Sequence, residues 1–459
     1  MKRKFSFIAL STVTAIGVVG CTAQLWKVTY PGATSFYSRE YGLVLTQNTN
    51  PLLIGRFEDE NREGSLFVAQ YDSDGKLIWK HEEPDDIRLE SSLAYIDDVA
   101  TDNHGGVFFS SYDDLLDSEA TLTKLANDGS VLWQDTFHSS IAIHTVAIND
   151  TQHYIAGNFD GIFGLRAYDA QGQLIWEYEE AADSGDGGLA EELANPDNDQ
   201  GSAGLGLEDY LNNDPRGTGV FTSSSRSGNP QASTLSFQLL LIRFDDYGNI
   251  FLGTTDRLRK ITPNGDLSLS VSAEGIGFDR FADFDIRNGQ LGIIGQFEAS
   301  PKVALLDSDL NLLRAADFAT DLPGHRVAMF DANSFCFSIN RYDEGVKQIR
   351  TIGTFSLEAG IINLNELQIE EDYYFIPVDL ETDGNDCYFA SSRSASNQSV
   401  NSFIEVFDRE ASLQATIKID DFLGSAMEIN GPNSYTAGIT GPYDGIQGTF
   451  ATLFKHKTQ

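Results

Sequence analysis

The sequence predicts an all-β chain folded as a single eight-bladed β-propeller, and three observations carry that expectation. A hairpin phrase with Gly and Trp four apart recurs as YDSDGKLIW (71 to 79), LANDGSVLW (125 to 133) and AYDAQGQLIW (167 to 176). Upstream of it recurs an apolar strand that ends in a small residue, and the two ends of the chain carry complementary pieces of one repeat. Strands rich in β-branched and aromatic residues run from end to end, flanked by turns, with no long segment of helical periodicity.

The first twenty residues stand apart. Lys2, Arg3 and Lys4 precede an apolar run from Phe5 to Gly20, the pattern of a secretory signal and too short for a permanent span. The run ends in Val18-Val19-Gly20-Cys21, which resembles the bacterial lipobox. That resemblance implies diacylation of Cys21 and, with Thr22 where Asp would retain the protein at the inner membrane, sorting to the outer membrane. Residues 1–20 are thus expected to be removed, leaving 21–459 as one propeller domain.

The small residue of the repeated strand is Gly55, Ser110, Gly157, Gly253, Gly295, Ser338, Ala390 and Gly438. Eight occurrences mean eight blades, each read as strand, turn, strand, loop, strand, Asp-x-x-Gly turn, strand. Successive intervals are 55, 47, 96, 42, 43, 52 and 48 residues, so only the third is out of line and holds an insertion. The turn Gly supplies positive φ, and Trp79, Trp133 and Trp176 are expected to pack between neighbouring blades rather than to form a site. Degenerate copies of the hairpin lie around Gly265, Asp307 and Asp408.

Trp26 sits in QLWKVTY, the context of an outermost strand with no blade before it, whereas GTFATLFK (448 to 455) matches a third strand with nothing after it. The N-terminal strand is therefore expected to complete the eighth blade, closing the ring and removing two open edges. The Tyr-Asp-x-x-Gly-x-Leu-x-Trp phrase resembles the repeats of pyrroloquinoline-quinone-type propellers and of bacterial β-propeller repeat (SBBP) proteins, over about residues 25 to 455. The Thr-Gly of the quinone repeat and the vicinal Cys-Cys pair of those dehydrogenases are missing, so no cofactor is expected. An eight-bladed, acidic lipoprotein also resembles, in architecture, the scaffold lipoprotein of the outer-membrane β-barrel assembly machine.

The formal charge is −37, and loss of residues 1–20 removes three bases and no acids, giving −40. Such acidity argues against nucleic acid or a polyanionic surface as partner. Besides Cys21 there are Cys336 and Cys387, each in a strand of a different repeat; a disulfide and two buried thiols are both open to them.

Propeller geometry puts the turns between strands one and two and between three and four on one face, here called the bottom, and the other connections on the top. An outermost strand starts at the bottom, and Thr22, Ala23 and Gln24 span roughly 10 Å when extended, so the bottom is expected to lie near the membrane. On the top, an acid stands three residues after the small residue in five consecutive blades: Glu58, Asp113, Asp160, Asp256 and Glu298. These are read as turn-capping carboxylates; Arg341 and Arg393 occupy the position in the next two blades, so a symmetric metal ring is not expected.

Where the innermost strands begin stand Arg39, Asp97, His144, Gln238, Arg280, His325 and Arg326, candidates for an axial pocket for an anionic or sugar-like ligand. The insertion, about 177–236, is rich in Gly, Asp, Asn and Ser and is expected to be flexible. Its Asn195-Pro-Asp197-Asn-Asp199-Gln-Gly201 stretch resembles a calcium loop, but the Gly is displaced by one and the twelfth position is Gly206, so an acidic solvated loop is expected. His138, His144 and His153 do not share a strand face, no metal site is expected, and no nucleophile elbow, zinc motif or phosphate loop occurs.

The functional expectation is a monomeric, outer-membrane-anchored scaffold or binding lipoprotein, non-enzymatic, contacting the membrane through its anchor and an envelope protein or small ligand through its top. The alternative is a polymer- or ester-acting hydrolase or lyase with an axial active site.

Overall fold

The computed structural model describes residues 24–30, 38–45, 50–58, 64–84, 94–102, 104–113, 119–138, 145–149, 151–160, 162–180, 240–298, 300–318, 324–342, 348–368, 373–395, 400–430, 433–440 and 450–457. Residues 1–23, which include the expected signal segment and Cys21, lie outside them, as does the connection 181–239 between blades 3 and 4.

The described strands form eight four-stranded antiparallel sheets, one per expected blade, and the chain is an eight-bladed β-propeller. A 3-10 turn at Glu274–Ile276 is the one helical element among the described residues. Blades 1 to 7 are each built from four consecutive strands. Blade 8 takes three from the C-terminus and its outermost from the N-terminus, Gln24–Thr29, which pairs antiparallel with Phe450–Lys457. The expected closure is therefore present.

Local chemistry fixes the outer hairpins. Asp72, Asp169, Asp307 and Asp408 each accept the backbone N–H groups two and four residues on, at 2.8–3.0 Å, which holds the turn without the next strand's help. The last residue of the turn has positive φ: 80° at Gly75, 83° at Gly129, 80° at Gly172 and 89° at Gly265.

Those glycines also serve as landing sites. A Cβ built on Gly75 would lie 2.9 Å from Trp26, on Gly129 2.6 Å from Trp79, on Gly172 2.6 Å from Trp133 and on Gly265 2.7 Å from Trp176. Each Trp of one blade's outermost strand thus lies on the turn of the next blade, from blade 8 round to blade 4. Trp26 and Trp176 add hydrogen bonds from Nε1 to the carbonyls of Ser73 and Pro263, 2.8 and 3.1 Å.

Beyond blade 3 the Trp is replaced, and the glycine changes with it. In blade 4 the equivalent residue is Leu269, and the positive-φ residue it faces in blade 5 is Leu310 (61°); in blade 6 it is Asn363, followed by Ala411 (56°) in blade 7. Where blade 5 presents the large Arg314, the turn again uses glycine, Gly360, whose Cβ would lie 2.9 Å from the guanidinium. Arg314 Nη1 donates to the carbonyls of Leu357 and Glu358 at 2.8 and 2.6 Å.

Blades 6 and 7 are also joined by a covalent bond and a buried ion pair. Cys336 and Cys387, on their second strands, form a disulfide, which settles the two open alternatives. Beside it Glu405 bridges two guanidiniums, that of fully buried Arg350 from blade 6 and that of Arg393, the latter at 3.0 Å. Their planes lie over Phe389 (4.1 Å) and Phe403 (3.9 Å). The Arg that interrupts the top-face acids at position 393 is thus tied to Glu405.

Candidate functional site: the axial carboxylates

An innermost strand is a sheet edge, so half of its N–H and C=O groups face the axis without a strand partner. In blade 5 the strand Arg280–Arg287 bulges between Phe281 and Asp283, and from there acids alternate with apolar residues. Period two puts Asp283 and Asp285 on one face. Asp283 Oδ2 accepts the N–H of Val327 (3.0 Å) and Asp285 Oδ2 that of Met329 (2.8 Å), both on the innermost strand of blade 6, Gly324–Asp331. Each uses its other oxygen on the N–H of the residue that follows it, Phe284 or Ile286.

Blade 7 repeats the device. Its innermost strand, Tyr373–Thr382, bulges before Asp379, whose oxygens accept the N–H groups of Leu380 (2.9 Å) and of Met427 in blade 8 (3.4 Å). Two residues on comes Glu381, and blade 8 contributes Glu428 from Phe422–Asn430. Facing these acids are Arg243 of blade 4, whose Nε is 3.9 Å from Asp285, and buried Arg326 of blade 6 beside Asp283.

Crowding and burial act together on this wall. Burial pushes the Asp283 carboxyl up to about 6, Asp285 adds to the rise, and Arg326, Arg243 and the Val327 amide oppose it. Burial and Asp379 push Glu428 up to about 8 against the pull of Arg243. Glu381 is raised well above the usual carboxylate range by burial, then by Asp379, Glu428 and Asp285. Both glutamates keep part of their surface open although protein encloses them, as carboxyls on an axial channel wall would. Glu428, at about 8, favours its protonated form at neutral pH, the state of a hydrogen-bond donor or general acid.

Of the axial residues read from sequence, two have described side chains. Arg280 donates from Nε to Gln296 Oε1, and burial pulls its guanidinium below the ordinary value with Asp279 opposing. Arg326 belongs to the cluster just described. Arg39, Asp97 and His325 are described in backbone only, on the innermost strands of blades 1, 2 and 6, Asp97 and His325 falling at bulges. His144 and Gln238 lie outside the described residues.

Among the top-face acids, Asp160 and Glu298 are exposed at positive φ (52° and 47°), with the Asp160 N–H bonded to the His138 carbonyl and the Glu298 N–H to Asp279 Oδ2. Asp256 Oδ1 accepts the Thr254 hydroxyl at 2.7 Å. Glu58 and Asp113 end second strands and are described in backbone only.

Sequence reasoning missed Arg243, Asp283, Asp285, Asp379, Glu381 and Glu428. The signal was available as acids two apart in FADFDIR and PVDLETD, an alternation that is unusual in a strand buried on both faces.

His153 is a second buried titratable group. It packs edge-on against Phe108 and Trp133, and burial with nearby Lys124 pushes it down to about 4 against the opposing pull of Asp102 and of the Asp169 and Tyr168 backbone. Among the described residues no group of three or more His, Cys, Asp or Glu is arranged to hold a metal ion. Nor, among them, is any helix long and apolar enough to cross a membrane.

The class defined by these observations is the eight-bladed propeller. No family model matches the chain, and no curated protein is significantly similar to it. Solved structures resemble it distantly. The Pan2 WD40 domain of Neurospora crassa is 9% identical, covers 79% of this chain and 89% of its own, and has a TM-score of 0.42. A structure described as a putative 6-phosphogluconolactonase from Bacteroides fragilis is 10% identical over 85% and 97%, with a TM-score of 0.41. The SCAP WD40 domain of fission yeast is 9% identical over 95% and 98%, with a TM-score of 0.34. At these distances they carry no argument about function, and the architecture rests on the strand pairing itself.

Proposed function

We propose that the protein is an outer-membrane-anchored lipoprotein whose propeller is a rigid, non-enzymatic scaffold for an envelope partner. The observation that carries this reading is the use made of the axial wall. The carboxylates of Asp283, Asp285 and Asp379 have both oxygens engaged by backbone N–H groups, one of them in the next blade, so they are spent on holding the ring together. Anchoring at Cys21 fits the position of the clasp strand, because Trp26 Nε1 and Lys455 Nζ both bond the Ser73 carbonyl in a bottom turn.

Fractionation with palmitate labelling tests the anchor. Wild type is expected to label and sediment with outer membranes, and Cys21→Ala to do neither; an unlabelled wild type overturns it. In-cell crosslinking followed by purification tests the scaffold: a stoichiometric envelope protein is expected, and its absence overturns the reading.

A second reading, a hydrolase or lyase acting at the axis, is favoured by one observation: Glu428, pushed up to about 8, stands among the same axial carboxylates as Glu381, as a general acid would. Turnover of glycans or esters that is lost in Glu428→Gln and retained in Cys21→Ala would replace the scaffold reading with this one.

A further inference from the structure

Every outermost strand begins with exposed apolar side chains. Leu25, Ile78, Leu132, Ile175, Leu313 and Ile362 are 39–57% exposed, and each is the second or third residue of its strand. Blades 4 and 7 contribute Leu267 and Leu413 from the first residue. The positions lie at one height, just above the bottom turns, and make an apolar belt round the whole rim. An exposed apolar side chain that recurs at the start of the outermost strand in every repeat is more regular than the scattered exposure of an ordinary surface. The strands that carry it are sheet edges with an unpaired row of N–H and C=O groups.

Below the belt, the turn tips are acidic: Asp74, Asp128, Asp266, Asp309, Glu358 and Glu410 are all exposed. The basic residues in these turns are Lys76 and Arg409, and Arg409 is occupied by Asp331 at 2.6 Å. On the bottom of blade 7 the acids crowd enough that burial, with Asp383 and Asp408, raises the Asp386 carboxyl.

We propose that this rim is a docking collar for a basic, amphipathic β-strand of a protein partner, which pairs with an outermost strand, sets apolar side chains on the belt and sets Lys or Arg beside the acidic tips. The proposal rests on the scaffold reading and names the chemistry of its partner. A second copy of this chain would bring like charge to like charge, and a bilayer would have to receive the acidic tips before it reached the belt.

The test is a binding titration of the soluble propeller, residues 22–459, with a labelled Lys-Leu-Lys-Leu-Lys-Leu-Lys peptide. Controls are a block isomer of the same composition and a Glu-for-Lys counterpart. The variant Ile78→Thr/Leu132→Thr/Ile175→Thr keeps β-propensity; should it misfold by circular dichroism, Val131→Thr/Leu174→Thr/Leu313→Thr replaces it. Expected is saturable binding of the alternating peptide, about tenfold weaker for the block isomer and weakened by salt, with fewer peptides bound per propeller at saturation in the variant, which leaves the edges of the other blades intact.

Equal binding by wild type and variant overturns the collar. So does vesicle binding (phosphatidylethanolamine with phosphatidylglycerol) or concentration-dependent dimerisation of wild type that the variant loses, since either assigns the belt to another occupant. These outcomes are independent of whether a partner is recovered from cells, so the collar and the scaffold reading fail separately.

Discussion

Trp133 lies on Gly172 of the next blade so closely that a Cβ at Gly172 would sit 2.6 Å from the indole. Glycine is required there twice over, for its φ of 80° and for the ring above it. Gly172→Ala is expected to cost about 2–4 kcal/mol, the sum of left-handed strain and overpacking, measured as a lower urea midpoint. Ala411→Gly is the contrasting case: Ala411 also has positive φ but faces no Trp, so relief of strain offsets the added chain entropy and the midpoint should hold within about 1 kcal/mol.

Glu405 is 5% exposed on its side chain and holds two guanidiniums, of which Arg350 is fully buried. Glu405→Gln leaves those charges without their counter-ion and is expected to destabilise by about 3–5 kcal/mol. Arg350→Met with Glu405→Leu removes the carboxylate and the fully buried guanidinium, leaving only the part-exposed Arg393 uncompensated, and should recover much of that loss. If the double variant is worse than the single, the seam is held by shape rather than by charge.

The disulfide closes a span of 51 residues across blades 6 and 7, and both cysteines are fully buried. The chain-entropy argument gives about 4 kcal/mol for a loop of that length, so Cys336→Ala/Cys387→Ala should lower the denaturant midpoint accordingly. The burial also predicts that reductant alone leaves the native bond intact, while reductant with denaturant opens it, which thiol labelling followed by mass spectrometry reads directly.

The ring was legible because its signals are local. Gly and Trp four apart mark a turn and a core residue, and Trp26 with GTFATLFK marks a divided blade, whatever the rest of the chain does. The outer hairpin of blade 6 was not legible: Trp is absent, and Gly360 answers instead to Arg314 across the seam from blade 5. The axial acids were missed for a related reason. The expected axial residues stand where innermost strands begin, whereas Asp283, Asp285, Asp379 and Glu381 lie beyond the bulges, and the partners of the three aspartates are amides about 44 to 48 residues away. A contact made between repeats leaves only its alternation in the sequence.

The axial glutamates and the buried histidines should shape stability in different pH windows. His153 and His456 are both pushed down to about 4 by burial, so the native state disfavours their protonation. Their contribution is complete above the unfolded value and is lost as pH falls from about 6.5 toward 4. Glu428, raised to about 8, binds its proton more tightly in the folded state; its contribution is complete near pH 4 and is lost as pH rises through 8. Between about 6.5 and 8 the histidines no longer act, and the unfolded chain holds fewer protons than the folded one, so stability falls by about 1–2 kcal/mol. Glu428→Gln keeps the neutral form at every pH and should flatten that limb, raising the midpoint at pH 8 more than at pH 6. A variant that moves both equally would show that Glu428 is ionised in the native protein and that Arg243 outweighs its burial.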